Sequence, residues 1–185
     1  MIDVNNLRKG VTFELDDSLY KVLDYEHHKP GRGKATIRIK ARNLRTGTIL
    51  EKSFISGDRV DDVRLDYQHV QFLYHDGELY HFMNTETYEQ PALPAEAVGD
   101  NALYLRENLD VKLTFYHGEA LDIELPLTVE LAVVDAGVSV RGDTATGVTK
   151  KVITETGLEV QVPNFIESGN SIKVDTRTGT YITRA

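Results

Sequence analysis

Alternation of apolar and polar residues dominates the chain and predicts a protein built from short β-strands. In KATIRIKAR, residues 34–42, every second residue from Ala35 to Ala41 is apolar. A period of two places these side chains on one face of a strand and the polar ones on the other. Other segments rich in Val, Ile, Leu, Tyr and Phe are LYKVLDYEHH (19–28), HVQFLYHDGELYHFM (69–83), LDVKLTFY (109–116), LPLTVELAVV (125–134), EVQVP (159–163) and SIKVDTRTGTYITRA (171–185). Turn residues separate them at intervals of about 8–12 residues, which is typical of small barrels or sandwiches.

Turns and one short helix complete the predicted elements. GDNALYLREN (99–108) predicts about two helical turns, with Asp100 or Asn101 accepting hydrogen bonds from the first free backbone amides. Asp76-Gly77 predicts a two-residue hairpin turn. RTGT occurs at 45–48 and again at 177–180. We interpret both copies as hairpin turns of the same chemistry and not as proof of a repeat.

Charge is unevenly distributed in this chain of 185 residues and net charge −8. Residues 1–64 have 13 basic and 10 acidic side chains, residues 65–126 have 2 and 12, and residues 127–185 have 6 and 7. The balance of charge changes near Arg64–Leu65, after the turn-rich stretch SGDRVDD, and again near Pro126. We therefore predict domains at 1–64, 65–126 and 127–185. The first segment would attract a nucleic-acid backbone and the second would repel it.

Several classes of protein are excluded or disfavoured by composition. Cysteine is absent, so the chain has no disulfide and no thiolate site. No apolar run approaches the roughly 18 residues of a membrane span, and the N-terminus lacks a signal-peptide pattern, so we expect a cytoplasmic protein with no membrane partner. Adjacent His27 and His28 would point to opposite faces of a strand, and counting outward from the predicted turn separates His75 from His81 in the same way. No metal site, cofactor or catalytic residue is therefore expected, and an enzyme is the less favoured class.

The candidate functional stretch begins at the loop KPGRGKA, residues 29–35. Lys29-Pro30-Gly31-Arg32 suits a type II turn with positive φ at Gly31, and Gly33 keeps the chain thin on both sides of Arg32. Such a hairpin can place one long cation far from the body of a barrel. The pattern has neither the third glycine of a dinucleotide loop nor a Gly-Lys-Ser/Thr phosphate loop.

The strand after this loop adds further cations. Lys34, Thr36, Arg38, Lys40 and Arg42 fall on one face. Positions on one face of a strand recur about every 6.6 Å, close to the spacing of phosphates along a nucleic-acid strand. No acid occurs from His27 to Leu50. The alternation by itself would also be explained by an ordinary strand with one face in solvent. The loop that precedes the strand favours contact with phosphates instead.

These residues resemble the first-domain loop of the bacterial elongation factor P family. The resemblance continues through NLRTG, EKSFISGD, QFLYHDGELYHFMNTETYEQ, GDNALYL, ELPLTVELAVV, RGDTATG and KVITETGLEVQVPNFIESGNSIKVDTRTGTYITRA, and it covers essentially the whole chain. It implies an all-β protein of three small β-barrels in a row: an SH3-like (KOW-type) barrel and two OB-fold barrels, with an L-shaped outline like that of tRNA. It also implies a monomeric translation factor that binds both ribosomal subunits between the peptidyl and exit sites and relieves stalling at consecutive prolines.

The resemblance also implies roles for individual residues. The tip residue Arg32 and its neighbours Lys29, Pro30, Gly31, Gly33, Lys34, Arg38 and Lys40 would contact the acceptor end of peptidyl-tRNA. Many members have a modified lysine at the position of Arg32. Because this chain has arginine there, extension of a lysine amine is excluded at this position. A rhamnose added by an arginine rhamnosyltransferase and an unmodified Arg32 both stay open, with modification of Lys34 as a third alternative.

The third segment would contact mRNA and the small subunit. Gly142-Asp143-Thr144 matches a family motif that reads exit-site mRNA, although the following ATGVTKKV departs from the usual glycine-rich stretch and leaves the path of residues 141–152 open. Without the resemblance these three residues would be interpreted as a turn. Tyr181 and Arg184 match the end of the family pattern, where contact with ribosomal RNA or simple packing would each explain them.

Two alternatives lie outside this interpretation. One is the paralogous elongation factor P-like protein, whose tip and C-terminal region tend to differ. The other is a generic OB-fold RNA-binding protein, whose aromatic residues would alternate with cations on one strand face. Tyr88, Tyr104, Phe115 and Tyr116 lie among acids instead, so we expect them to pack in cores.

Overall fold

Nearly all regular structure in this protein is β-strand. The computed structural model describes residues 1–138 and 148–185, and its strands form three sheets. The all-β prediction is confirmed. The chain packs as two compact units, Met1–Asp66 with Thr114–Asp122, and Tyr67–Leu113 with Ile123–Ala185. No helix within the described ranges has the length and apolar character of a membrane span.

The first sheet has six strands in the order β1-β6-β2-β3-β4-β5. They are β1 (Ile2–Asp3), β2 (Thr12–Leu15), β3 (Ser18–His28), β4 (Thr36–Asn43), β5 (Ile49–Ile55) and β6 (Arg59–Asp62). A 3₁₀ helix, Val4–Asn6, follows β1, and the Asp3 carboxylate accepts a hydrogen bond from the Asn5 amide at 2.8 Å. The alternation predicted for β4 is confirmed, because Ile37, Ile39 and Ala41 are buried in the core.

The second sheet has the strand order β11-β10-β7-β8-β9. Its strands are β7 (Asp66–His75), β8 (Leu79–Met83), β9 (Ala92–Pro94), β10 (Asp110–Tyr116) and β11 (Glu119–Glu124). The predicted helix is partly wrong: an α-helix covers Ala95–Val98 and a 3₁₀ helix covers Gly99–Tyr104. Gly99, at φ +54°, ends the α-helix, and no side chain caps the 3₁₀ helix, so neither Asp100 nor Asn101 has the predicted role.

The β7–β8 turn lies one residue further along than predicted. The Asp76 amide donates to the Leu79 carbonyl at 3.1 Å, so Gly77 and Glu78 form the two-residue loop. The Asp76 carboxylate accepts from the Glu78 and Leu79 amides and contacts His81 Nε2 at 2.7 Å. The His81 hydrogen bond, followed by those amides, holds the pKa of the Asp76 carboxyl well below its usual range.

The third sheet has the strand order β14-β13-β12-β15-β16. Its strands are β12 (Thr128–Asp135), β13 (Thr149–Thr154), β14 (Glu159–Pro163), β15 (Ser171–Asp175) and β16 (Tyr181–Arg184). Alternating apolar residues of these strands are buried and form its core: Val129, Leu131, Val133, Val152, Val160, Val162, Ile172 and Val174.

The two RTGT segments form the same hairpin turn, as predicted. In the first, the Asn43 carbonyl accepts from the Gly47 amide and its side-chain oxygen accepts from the Arg45 amide, both at 2.9 Å. In the second, Asp175 accepts from Gly179 and Arg177 in the same way, both at 2.8 Å. The Arg177 side chain also lowers the pKa of the Asp175 carboxyl to about 2.

A third copy of this turn joins β8 to β9. The Asn84 carbonyl accepts from the Tyr88 amide at 2.8 Å, and the Asn84 side chain accepts from the Glu86 amide at 2.9 Å. Tyr88 therefore occupies the left-handed position at φ +61° that glycine fills in the other two copies. Tyr88 is 72% exposed, so its predicted place in a core is wrong.

Candidate nucleic-acid interface

The loop that joins β3 to β4, residues 29–35, presents three cations to solvent. His28 pairs with Thr36 at the end of the hairpin, so the seven residues between them extend beyond the sheet. Lys29, Arg32 and Lys34 are exposed, and no acidic side chain in the described ranges lies within ion-pair distance of any of them. The Arg32 guanidinium is therefore not held in an internal ion pair with the described residues.

The backbone of this loop differs from the predicted type II turn. Positive φ is found at Gly33, at +100°, and not at Gly31. Seven residues span the hairpin end, so the chain does not need a tight four-residue turn at Lys29–Arg32. An added Cβ would meet no atom within 4 Å at either glycine, but the left-handed backbone at Gly33 would strain any other residue. Gly33, and not Gly31, is the glycine that the loop conformation requires.

Cations further along β4 lie beside carboxylates on the neighbouring strands. Lys40 is paired with Asp24 on β3 and with Glu51 on β5. Arg38 is paired with Glu26 on β3. Side chains directly opposite each other in antiparallel strands lie about 5 Å apart at Cβ, so these charges attenuate each other's field. Around Arg38 and Lys40 this face has two cations and three acids, so it is not the uniformly basic strand that the sequence indicates.

Arg42 at the far end of β4 is an internal structural cation. Its Nη2 lies 2.7 Å from Oδ1 of Asp122, and Nζ of Lys21 lies 2.7 Å from Oδ2 of the same carboxylate. The Asp122 side chain is only 3% exposed. Burying a carboxylate requires partners of opposite charge, and two cations supply them here.

A small apolar cluster lies in the same compact unit as this ion triad. Leu19 and Leu44 from the first sheet are buried against Leu121, and Val63 and Tyr116 pack on the cluster. An exposed ion pair, Arg45 Nη2 to Glu119 Oε2 at 3.2 Å, lies in the same unit. Sequence reasoning missed Asp122, because nothing in its local pattern separates it from the other acids of residues 65–126.

The remaining predicted site residues belong to the third segment. Gly142, Asp143 and Thr144 lie outside the described residues. Tyr181 and Arg184 are on β16, where they pair with Val174 and Ile172 of β15. Tyr181 is partly buried and Arg184 is exposed. Within the described ranges, no group of histidines and carboxylates could hold a metal ion.

Three models of one protein family match consecutive parts of this chain. Residues 3–60 match the elongation factor P KOW-like domain, residues 65–123 the elongation factor P OB domain, and residues 129–184 the elongation factor P C-terminal region. Elongation factor P of Moorella thermoacetica is 45% identical over 185 residues, which cover 100% of both chains. The chain belongs to the elongation factor P family.

Other members of the elongation factor P family are similarly close. The elongation factor P of Thermotoga petrophila is 48% identical over 185 residues, with 100% of both chains covered. The predicted family is thus confirmed, and so is the prediction of a translation elongation factor. Members of this family are generally not enzymes. The family models also confirm a KOW-like domain at the N-terminus followed by an OB domain. The boundaries 1–64, 65–126 and 127–185 stay predictions.

One solved structure shares the fold of this chain over two thirds of the chain's length. Eukaryotic translation initiation factor 5A from Methanococcus jannaschii covers 67% of this chain and 93% of its own, with a TM-score of 0.50. The two sequences are 22% identical, so this likeness concerns the fold alone.

Proposed function

We propose that this member of the elongation factor P family binds the ribosome between the peptidyl and exit sites and promotes peptide-bond formation at consecutive prolines. The observation that supports the proposal is the exposed loop 29–35, in which Lys29, Arg32 and Lys34 have no acidic partner within the described ranges. Cations on a thin, exposed loop suit the phosphates and bases at a tRNA acceptor end.

The proposed mechanism involves positioning and no covalent step by the protein. Proline is a stiff and poor nucleophile, so the reacting ends of two tRNAs spend little time aligned. A guanidinium that braces the peptidyl-tRNA end reduces this disorder and lowers the entropic part of the barrier. Ideal positioning supplies about 7–11 kcal/mol, and a single loop on one tRNA end supplies a small part of this.

Replacing Arg32 by alanine tests the proposal directly. We expect the rate of peptide-bond formation on a proline-run template to fall about tenfold or more, because the variant lacks the group that braces the acceptor end; a tenfold change corresponds to about 1.4 kcal/mol of barrier. The measurement is a reconstituted translation assay with purified ribosomes and the full-length protein. A template without prolines should show no dependence on the substitution.

The matched control is Lys9→Ala, which removes an exposed cation of the same compact unit outside the loop. Lys9→Ala should rescue stalling as well as the wild type does. Equal rescue by wild type and Arg32→Ala would reject the role proposed for the loop.

Salt dependence separates the loop cations from the strand cations. Each phosphate contact contributes about 0.7–0.9 to the slope of log affinity against log salt. We expect Lys34→Ala to lower the slope of ribosome binding by roughly this amount. Lys40→Ala should lower it less, because Asp24 and Glu51 flank Lys40. Equal changes for the two variants would contradict the distinction between loop and strand.

The chemical state of Arg32 has two principal alternatives. A rhamnose would add hydroxyl groups to the loop and would require an arginine rhamnosyltransferase as a further partner, whereas an unmodified guanidinium would act alone. Mass spectrometry of the peptide 29–38 from protein isolated from its natural source distinguishes the two. A mass equal to that of the unmodified sequence would exclude a bound rhamnose. The same peptide reports whether Lys34 is modified instead.

Further parts of the proposal concern the other segments. We propose that Gly142, Asp143 and Thr144 contact exit-site mRNA, and that Tyr181 and Arg184 contact RNA of the small subunit. Arg184 is exposed on β16, which supports contact of its guanidinium with phosphate. We also propose that the protein is a monomer, that it acts in the cytoplasm, and that its three domains divide at about residues 64 and 126.

A further inference from the structure

A groove of about 790 Å³ lies within the second compact unit, far along the sequence from the loop 29–35. Its walls include Phe72, His75 and Tyr80 from the β7–β8 hairpin, Arg106 and Glu107 after the 3₁₀ helix, and Glu155 from the turn after β13. We call it the aromatic groove. Neither the family matches nor the proposed function assigns a role to it.

Aromatic rings form one wall of the aromatic groove. The His75 and Tyr80 rings are stacked with centroids 4.1 Å apart and 16° between their planes. The Phe72 ring centroid lies 5.9 Å from that of Tyr80. Stacked rings hold each other in place and present a flat surface with a partial negative charge on its face. Such a surface favours aliphatic stems that end in a cation.

The polar groups of the groove are incompletely paired. Arg106 Nε is buried and has no hydrogen-bond partner among the described residues. Buried donors without an acceptor are rare in folded proteins, so Arg106 is incompletely paired at the groove. One carboxylate oxygen of Glu155 accepts from the Ala132 amide at 3.0 Å, which fixes the side chain at the groove. Glu107 is exposed at the opening.

The walls of the groove are tied to each other. Thr156 Oγ1 donates to the Leu103 carbonyl at 2.5 Å, and this bond joins the turn after β13 to the 3₁₀ helix. The Asn108 amide donates to the Phe72 carbonyl at 2.9 Å on the other side. A groove held by such bonds is preformed and loses little conformational freedom when it is occupied.

Charge decides which occupant fits. Residues 65–126 have 12 acids and 2 cations, and among the described residues of the groove wall Glu107 and Glu155 outnumber the single cation Arg106. RNA phosphates would be repelled, whereas lysine and arginine side chains would be attracted. We propose that the aromatic groove binds an extended, lysine- or arginine-bearing peptide segment of a protein partner. The cationic side chains pair with Glu107 and Glu155 and lie on the Tyr80 and His75 rings.

The test is a titration of the isotope-labelled full-length protein, observed by NMR at 150 mM salt. The probe is the blocked peptide Ala-Arg-Lys-Gly-Arg-Lys-Ala, and a nine-residue oligouridine is the comparison. We expect the peptide to shift the His75 and Tyr80 resonances and the oligouridine to leave them unchanged. The double variant Glu107→Gln with Glu155→Gln should weaken peptide binding about tenfold, because it removes both carboxylates that face the cations.

The matched control is Glu86→Gln with Glu96→Gln, which removes two exposed carboxylates outside the groove and changes the net charge by the same amount. It should weaken binding less than twofold. If both double variants weakened peptide binding equally, the effect would be a non-specific attraction to the net negative charge, and the proposal would be overturned. Tighter binding of oligouridine than of the peptide would also overturn it. Rescue of proline stalling is a separate measurement, so loss of this proposal leaves the role of Arg32 untouched.

Discussion

Replacing Lys21 and Arg42 together by methionine is expected to lower the free energy of unfolding by about 3–5 kcal/mol. Both cations contact the Asp122 carboxylate at 2.7 Å, and the Asp122 side chain is only 3% exposed. Without them the buried Asp122 carboxylate keeps its negative charge and loses both of its cationic partners. Urea denaturation at pH 7, followed by fluorescence of the nine tyrosines, measures the loss.

Removing the carboxylate as well should restore most of the stability. A triple variant that adds Asp122→Leu replaces the whole ion triad by apolar side chains, and such replacements are often neutral or stabilising. The matched control is Arg45→Met, which breaks the exposed pair with Glu119 in the same unit. This control should cost less than about 1 kcal/mol. A triple variant as unstable as the double variant would contradict the view that an unpaired buried charge causes the loss.

Local periodicity predicted the strands that alternate strongly, because the period of two follows directly from strand geometry. β4 is the clearest case, with Ile37 and Ile39 at most 1% exposed. The strand β5 was missed, because Ile49 and Ile55 are both about half exposed and its inner face contributes mainly Phe54. Such a segment has no apolar stripe that distinguishes it from a polar loop.

Turn details were less accessible to sequence reasoning, because glycine tolerates several backbone conformations. In the loop 29–35, the left-handed residue is Gly33 and not Gly31. At the β7–β8 turn, the loop residues are Gly77 and Glu78 and not Asp76 and Gly77. A shift of one residue in a hairpin changes every cross-strand pair. Even so, His75 and His81 lie on opposite faces of the hairpin, as predicted, because His81 pairs with Tyr74 and neighbouring residues of a strand point to opposite faces.

The electrostatics of the candidate site depended on contacts that the linear sequence does not show. Residues 27–50 have no acid, yet β4 lies between strands that contribute Asp24 and Glu51 beside Lys40. Asp122 is 80 residues away from Arg42 in the sequence. The cations of this hairpin therefore differ in kind: Arg42 is structural, Lys40 and Arg38 lie beside acids, and the cations of the loop have no acidic partner within the described ranges. This gradient concentrates the available positive charge at the loop, where the proposed function requires it.

Replacing Phe13 by alanine is expected to lower the free energy of unfolding of the first compact unit by about 3–5 kcal/mol. Phe13 is 1% exposed, stacks on Tyr20 with centroids 5.7 Å apart and meets the Phe54 ring edge-on at 6.5 Å. The substitution removes these contacts and leaves a cavity between β2 and β5. A small domain has only about 5–15 kcal/mol of stability in total, so this loss is a large fraction of it.

Amide hydrogen exchange measures this loss in each unit separately. Protection should fall at Ile37 and Ile39, which belong to the same core as Phe13, and stay nearly unchanged at Val160 and Val174 in the third sheet. The matched control is Phe165→Ala, since Phe165 is 60% exposed and its truncation should change stability by no more than about 0.5 kcal/mol. Equal loss of protection in all three sheets would show that the units unfold together. A loss of less than about 1 kcal/mol at Ile37 would mean that this core collapses around the cavity, and the barrel carrying the loop would then tolerate changes in its interior.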